Sequence, residues 1–297
     1  MRPQETRILF LKEKLMILIQ HSRFAHIILA GALCLFSFPA FSEAPGEKAL
    51  RVCADPNNLP FSNNKQEGFE NRIAQLFAKE LGLPVEYTWY PQRFGFLRNT
   101  LRARLEGGGF KCDIVMGVSA NYPETATSIP YYHSTYVMVY VKGKGLDSVK
   151  TPQDLLKLPN LHSIKIGVFG RTPPADWVLK YNLVGQMVPY QLQTGDILDY
   201  TGKVIIDDLL PGDVNVLFIW GPIAGYFAKQ HPELVLVSMQ SENIKYDDQN
   251  VVFDYAISMG MRQPDKEWKE KINKLIEQNR DKINAILDEY GVPLVKD

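Results

Sequence analysis

The hydrophobic pattern changes period four times between residues 50 and 118, and that alternation constrains the fold more tightly than anything else in the 297-residue chain. Residues 50–54 (LRVCA) are an apolar run of strand length. Residues 69–81 then place Ile73, Leu76, Phe77 and Leu81 at helical spacing, with Gly82 where a helix would end. Residues 85–89 (VEYTW) alternate apolar and polar, 97–106 read as a second helix stopped by Gly107-Gly108-Gly109, and 113–118 (DIVMGV) are another apolar strand. The order β-α-β-α-β predicts a parallel sheet with right-handed crossovers.

After an extended run at 136–141 (YVMVYV), read as a hinge, the alternation restarts. Helices are predicted at 152–156, 174–181, 203–210 and 222–230, strands at 164–169, 188–192 and 215–220, and a short apolar run at 234–237. The polar stretch 240–250 reads as a return crossing, 256–261 as a final strand, and 266–290 as two helices split near Asn279. The prediction is an α/β protein of two parallel-sheet lobes, 43–139 plus 251–297 and 140–250, joined by a double hinge that closes on a cleft. In open parallel sheets ligands sit beyond the carboxyl ends of the strands, where strand order switches. The turn-rich DPNNLPF at 55–61 follows the first strand directly and is therefore expected to be a cleft wall.

Residues 1–42 read as an export signal rather than part of the fold. Arg23 and His26 precede an apolar run at 27–38, and Ala40-Phe41-Ser42 fits a small-x-small cleavage site. The run is too short for a membrane span, so a mature periplasmic chain without one is expected from about Glu43, with Met16 an alternative start. A lipoprotein is excluded because Cys34 lies inside the apolar run and follows Leu33. Losing five Lys/Arg and two Asp/Glu from a chain balanced at 33 of each leaves a net charge of −3. Nucleic-acid binding, which needs clustered cations, is not expected. Cys53 and Cys112 remain, either as two buried thiols or as a disulfide, and an even count in an oxidising compartment favours the disulfide. Two thiols without a nearby His supply too few ligands for a metal, and neither a metal nor a cofactor is expected.

The segments GFENRIAQLFAKELGLPVEYTW, CDIVMGV and PYYHSTYV occur in an order that resembles the type 2 periplasmic solute-binding proteins. More narrowly, RVCADPNNLPFS, YPQRFGFLRNTL, RTPPA, WGPIAGYFA and YGVPL are similar to the branch associated with quinoprotein dehydrogenases, across nearly all of 50–295. The resemblance implies the two-lobed binding fold, a periplasmic location, and a PQQ-dependent methanol or other alcohol dehydrogenase as partner. The implied role is to assist that enzyme's assembly or activation. The alternative is an ordinary receptor of an ABC transporter for a neutral or weakly polar small molecule.

Amino-acid-binding members of the wider family hold the ligand carboxylate with an Arg shortly after the third strand and its ammonium with an acid in the second lobe. Here 118–129 has no Arg or Lys, Glu124 stands near the expected cation, and 215–226 has no acid. Free amino acids are therefore not the expected ligands. The candidate ligand-binding residues are instead amides and rings: Asn57, Asn58, Phe61, Tyr131, Tyr132 and Trp220, with Phe169 beside them. Glu70, opening the first helix with Asn71, is either a cap or a ligand contact. Thr172 with Pro173 and Pro174 reads as a helix start, where Arg171 and free N–H groups suit an anion. Arg93 and Arg98, in the aromatic–basic PQRFGFLRN, are candidate partner contacts. Three scattered His residues in the mature chain, and no G-x-S-x-G or H-E-x-x-H, argue against an enzyme. A catalytic reading would rest on Glu70 or Glu124 as a general base.

Overall fold

The computed structural model describes residues 45, 47–192, 196 and 198–295; the expected leader at 1–42 and its cleavage site lie outside them. Strand β1 (Leu50–Ala54) is followed by a small hairpin, β2 (Asn57–Asn58) with β3 (Ser62–Asn63), and then by helix α1 (Phe69–Leu81). The Asn71 side-chain oxygen accepts from the N–H groups of Gly68 and Asn63, which ties the start of α1 to the hairpin. Phe69, Ile73, Phe77 and Ala78 bury one face of the helix, and Gly82 ends it at φ 67°, a left-handed conformation that suits glycine. Strand β4 (Val85–Trp89), the short helix α2 (Phe96–Asn99) and β5 (Ile114–Ser119) complete the first half. β4 and β5 flank β1 in parallel, as the alternation predicts.

The chain continues through the two-residue β6 (Ala126–Thr127) into β7 (Tyr132–Val141). The second half holds α3 (Pro152–Leu155), β8 (Ile166–Phe169), α4 (Pro173–Lys180), β9 (Met187–Tyr190), β10 (Val216–Trp220), α5 (Gly221–Gln230) and β11 (Leu234–Ser238). A hairpin, β12 (Ile244–Tyr246) with β13 (Gln249–Val251), leads to β14 (Asp254–Met261), α6 (Lys266–Gln278) and α7 (Arg280–Glu289). The main sheet runs β4-β1-β5-β14-β7-β10-β8-β9. It is parallel within β4-β1-β5 and within β10-β8-β9, and antiparallel where β14 and β7 join the two sets.

Alternate residues of β7 enter different cores. Met138 and Tyr140 pack with Ile166, Trp177 and Phe218, whereas Val137 and Val139 pack with Leu217, Ile219 and Phe227. Both faces of the sheet are covered, which is why the strands read as continuous apolar runs. The first half has its own core of Leu50, Ile73, Phe77, Ile114 and Met259 under α1, α6 and α7.

Three segments differ from the sequence reading. The helix expected at 97–106 ends at Asn99: the Thr100 hydroxyl donates back to the Phe96 carbonyl, and an Arg104–Phe110 bridge turns 104–110 into a hairpin with its glycines at the tip. At 203–210 the ordered turn is a π-helix, Ile205–Leu209. The return crossing at 240–250 contains the β12–β13 hairpin, whose turn residues Asp247 and Asp248 both have positive φ (48° and 58°), a two-residue turn that twists with its strands.

Behind the end of β1, Cys53 and Cys112 form a disulfide with Cα atoms 5.5 Å apart. Next to it the fully buried Asp113 carboxylate accepts from Arg51 Nε at 2.7 Å and Arg262 Nη2 at 2.6 Å. Arg262 also donates to the carbonyls of Leu101 and Cys112 and lies over the Phe110 ring.

The disulfide spans 59 residues of sequence, so Cys112→Ser should cost about 4 kcal/mol of stability by the loop-entropy argument. Urea midpoints of the variant and of the reduced parent should fall together. An unchanged midpoint would show that the bond does not constrain the unfolded chain.

Candidate functional site

The carboxyl ends of β1 and β8 open on a cavity of about 490 Å³ walled from both halves of the chain. Asp55 organises the first wall. Its carboxylate accepts the N–H of Asn57 at 2.8 Å and of Gln92 at 2.5 Å, and its carbonyl accepts the Ser62 hydroxyl at 2.9 Å. These bonds hold the β2–β3 hairpin so that Asn57, Asn58 and Phe61 face the cavity, with the Asn58 amide donating to Gln92. Phe169, Tyr190 and the segment from Tyr200 to Asp208 supply the opposite wall. Arg93 lines the cavity too, and donates to the Asp196 carbonyl across it at 3.1 Å.

The wall is more strongly charged than the rings and amides expected there. Asp55, Asp196, Asp199, Asp207 and Asp208 line it, against Arg93 and Lys203 as the cations among the described residues. Lys203 lies 3.7 Å from Asp207. Burial and a hydrogen bond to Asp208 push the Tyr190 hydroxyl up. The sequence reading assigns only a helix at 203–210 in this region and takes no account of the four aspartates against one lysine in 196–208 (DILDYTGKVIIDD).

A second cavity, about 450 Å³, has Arg171, Thr172, Asp176, Tyr246 and Tyr255 among its lining residues. Arg171 sits at φ 62°, and the buried Thr172 hydroxyl donates to the Phe169 carbonyl at 2.7 Å, while its oxygen accepts no N–H from the helix it precedes. Trp220 closes β10 between the two cores, 5.2 Å from Tyr136 and 6.1 Å from Tyr255 by ring centroid, and hydrogen-bonds to Tyr132. Tyr131, expected in the cleft, is instead fully buried in the first core, its hydroxyl without a protein partner. Arg98 is exposed on α2 and lines neither cavity, whereas its neighbour Phe94 is 91% exposed.

Glu70 lies beneath the first wall. Its Oε1 stands 2.4 Å from where a Cβ on Gly117 would be, so a bare backbone at that point of β5 makes room for the carboxyl. Burial, then the nearby Asp55 carboxylate, push Glu70 up from 4.5 to about 8. The charge of Glu70 and, more strongly, burial raise the hydroxyls of Tyr131 and Tyr132 well above 10. Glu124, the other acid considered, is exposed and pairs with Arg102 at 3.2 Å.

A match to the bacterial extracellular solute-binding proteins, family 3, spans residues 50–293. Protein MoxJ of Methylorubrum extorquens is 28% identical over 265 residues, covering 84% of this chain and 83% of that protein. The crystal structure of the periplasmic binding protein XoxJ from Methylobacterium extorquens is similar with a TM-score of 0.65 and 33% identity, over 84% of this chain and 100% of that one. That of MxaJ from Methlophaga aminisulfidivorans is similar with a TM-score of 0.68 and 27% identity, over 83% and 100%. The described fold is thus the type 2 periplasmic binding fold: mixed α/β with a mostly parallel central sheet.

A carboxyl at about 8 in the folded chain and 4.5 in the unfolded one keeps its proton longer when folded. Its contribution to stability therefore falls as pH rises from about 4.5 to about 8 and is level above that. Glu70→Gln should remove this fall, so its melting temperature relative to the parent should rise across that interval. Parallel profiles for the two proteins would overturn the assignment.

Proposed function

The chain belongs to the bacterial extracellular solute-binding proteins, family 3, and from that premise we propose that it works in the periplasm beside a PQQ-dependent methanol or other alcohol dehydrogenase, assisting that enzyme's assembly or activation. The observation that carries the reading is the absence of charge from two stretches of the sequence; the charges that do line the cleft, Arg93, Lys203 and five aspartates, come from other positions. No Arg or Lys follows β5 in 118–129 and no acid stands in 215–226, so the two ions that would grip an amino acid from those positions are missing. The likeness to proteins named MoxJ and XoxJ supports the choice of partner. Removal of a leader near Ser42 would release the mature chain.

In the proposed mechanism two lobes, 43–139 plus 251–297 and 140–250, close on a segment of the dehydrogenase or on a small molecule. β7 and β14 are the connecting strands. Asn57, Asn58, Phe61 and Trp220 would contact the occupant, Arg171 and Thr172 would border it, and Arg93 and Arg98 would meet the partner's surface. The role is binding and positioning, without a catalytic step.

A second reading, a transporter receptor, is favoured by one observation: a cavity of about 490 Å³ is of small-molecule size. The two separate by experiment. The tagged mature chain, used as bait in periplasmic extract, should recover the quinoprotein dehydrogenase, and Trp220→Ala should reduce recovery by at least about tenfold while the variant's circular dichroism stays unchanged. Failure of the parent to recover the enzyme, together with a melting-temperature rise on adding a small solute, would replace the first reading with the second.

A further inference from the structure

We infer that the rim of the first cavity is a docking surface for a basic segment of a partner protein, with a lysine or arginine entering between the aspartates and an apolar residue resting on Phe94 and Leu192. The inference rests on the proposed role beside a partner enzyme and names the chemistry of what that partner would present.

The rim is apolar and exposed where the cavity opens. Phe94, next to the lining residue Arg93, is 91% exposed; Leu192, itself in the lining, is 47% exposed, and Leu198, next to Asp199, is 73% exposed. Scattered exposed apolar residues need no explanation, but Leu192 lines the cavity itself and Phe94 and Leu198 each adjoin a lining residue in sequence, which puts apolar surface of the kind that partners cover beside the charged wall. Phe94 makes no ring contact within the chain that would account for its position among the described residues. Its glycine neighbour, Gly95, has φ 82° and starts α2, which carries the ring outward while Phe96 turns in.

The charge below the rim selects the occupant. Five aspartates and two cations leave the wall with an excess of negative charge. Lys203 stands by Asp207, and the Asp55 carboxylate is already held by two N–H groups that leave its charge in place. Burial is the main cause that raises Glu70, Tyr190 and Tyr200, and Asp55, Asp208 and Asp207 respectively add to it. A cation entering here lowers that repulsion, and complementary potential is what steers and selects partners at such surfaces. A bare divalent ion is a poorer fit, since the described residues hold no group of three His, Cys, Asp or Glu placed to ligate one. A small organic cation would fill the charged floor and leave the rim uncovered. A segment carrying both a cation and an apolar side chain uses both parts.

The test uses chain 43–297 and a labelled peptide of three Gly-Lys-Phe repeats, read by fluorescence anisotropy. The peptide should bind, a Glu-for-Lys version should not, and an Ala-for-Phe version should bind at least about tenfold more weakly. Phe94→Ala should weaken binding of the parent peptide, as should the triple variant Asp199→Asn, Asp207→Asn, Asp208→Asn. The inference is overturned if the Glu version binds as well as the Lys version. It is also overturned if free arginine competes fully and Phe94→Ala has no effect, because the site is then a small-cation pocket. Dehydrogenase recovery by the triple variant separates this inference from the role it rests on. Undiminished recovery refutes the basic-segment inference and leaves the role standing; no recovery by the parent, with peptide binding intact, refutes the role and leaves the surface.

Discussion

The pairing of β7 with β14 is the constraint on which the rest of the molecule hangs. β7 spends its first residues, Tyr132 to Thr135, on β14, and its next, Tyr136 to Tyr140, on β10. One strand therefore belongs to both halves of the sheet, and its register fixes where each half ends. Because side chains alternate, a slip by one residue would send Val137 and Val139 to the face now filled by Met138 and Tyr140, and neither core would close. The same register puts Trp220 opposite Tyr136, with Tyr255 and Tyr132 beside it. An aromatic seam thus lies where the two cores meet, and the cavities open near it.

The two walls of the first cavity are built by different means. The β1 side is fixed in depth: the Cys53–Cys112 bond, the Asp113 carboxylate between Arg51 and Arg262, and the Arg262 guanidinium on two carbonyls lock the strand ends together. A buried charge costs several kcal/mol unless its partners are in place, and here the Asp113 carboxylate is met by two guanidinium groups, one of which also donates to two carbonyls. Arg262 stands just past β14, so this cluster also ties the shared part of the sheet to β5. The opposing wall comes from strand ends, turns and a π-helix, and owes its character to aspartates rather than to packing.

Much of this architecture was legible before any coordinates. The limits of β1, α1 and β4 follow from period and from Gly82, and the split of the last two helices falls at Asn279. The disulfide followed from counting cysteines and naming a compartment. What periodicity could not see was tertiary override: Thr100 bonding back to Phe96 ends a segment whose spacing fits a longer helix. The β12–β13 hairpin hid because its signal is a two-residue Asp-Asp turn in a polar stretch with little apolar alternation. Asn57, Asn58 and Phe61, expected in a cleft wall from turn chemistry after a parallel strand, line the cavity, and Arg93, expected as a partner contact, lines it as well. Tyr131 and Tyr132, both expected in the cleft, are both buried in the first core and line neither cavity; Tyr132 meets Trp220 there, and only packing could show it. The acids at 196–208 required knowing which loop crosses to face β1, and that is topology, not composition.

The segment after α7, residues 291–295, forms a C-terminal strap across the middle of the sheet. A Cβ on Gly225 of α5 would stand 1.9 Å from the carbonyl oxygen of Gly291, and one on Gly221 would stand 2.4 Å from the carbonyl of Thr135, so α5 lies backbone-to-backbone against both the strap and β7. Ser134 donates to the Pro293 carbonyl and the Val295 N–H to the His133 carbonyl, which fixes the strap to the same strand. These contacts sit beside β7, where a rotation about β7 and β14 produces the least displacement. Glycine at 225 and 291 keeps them close enough to act as a pivot, since any side chain there would wedge the two backbones apart.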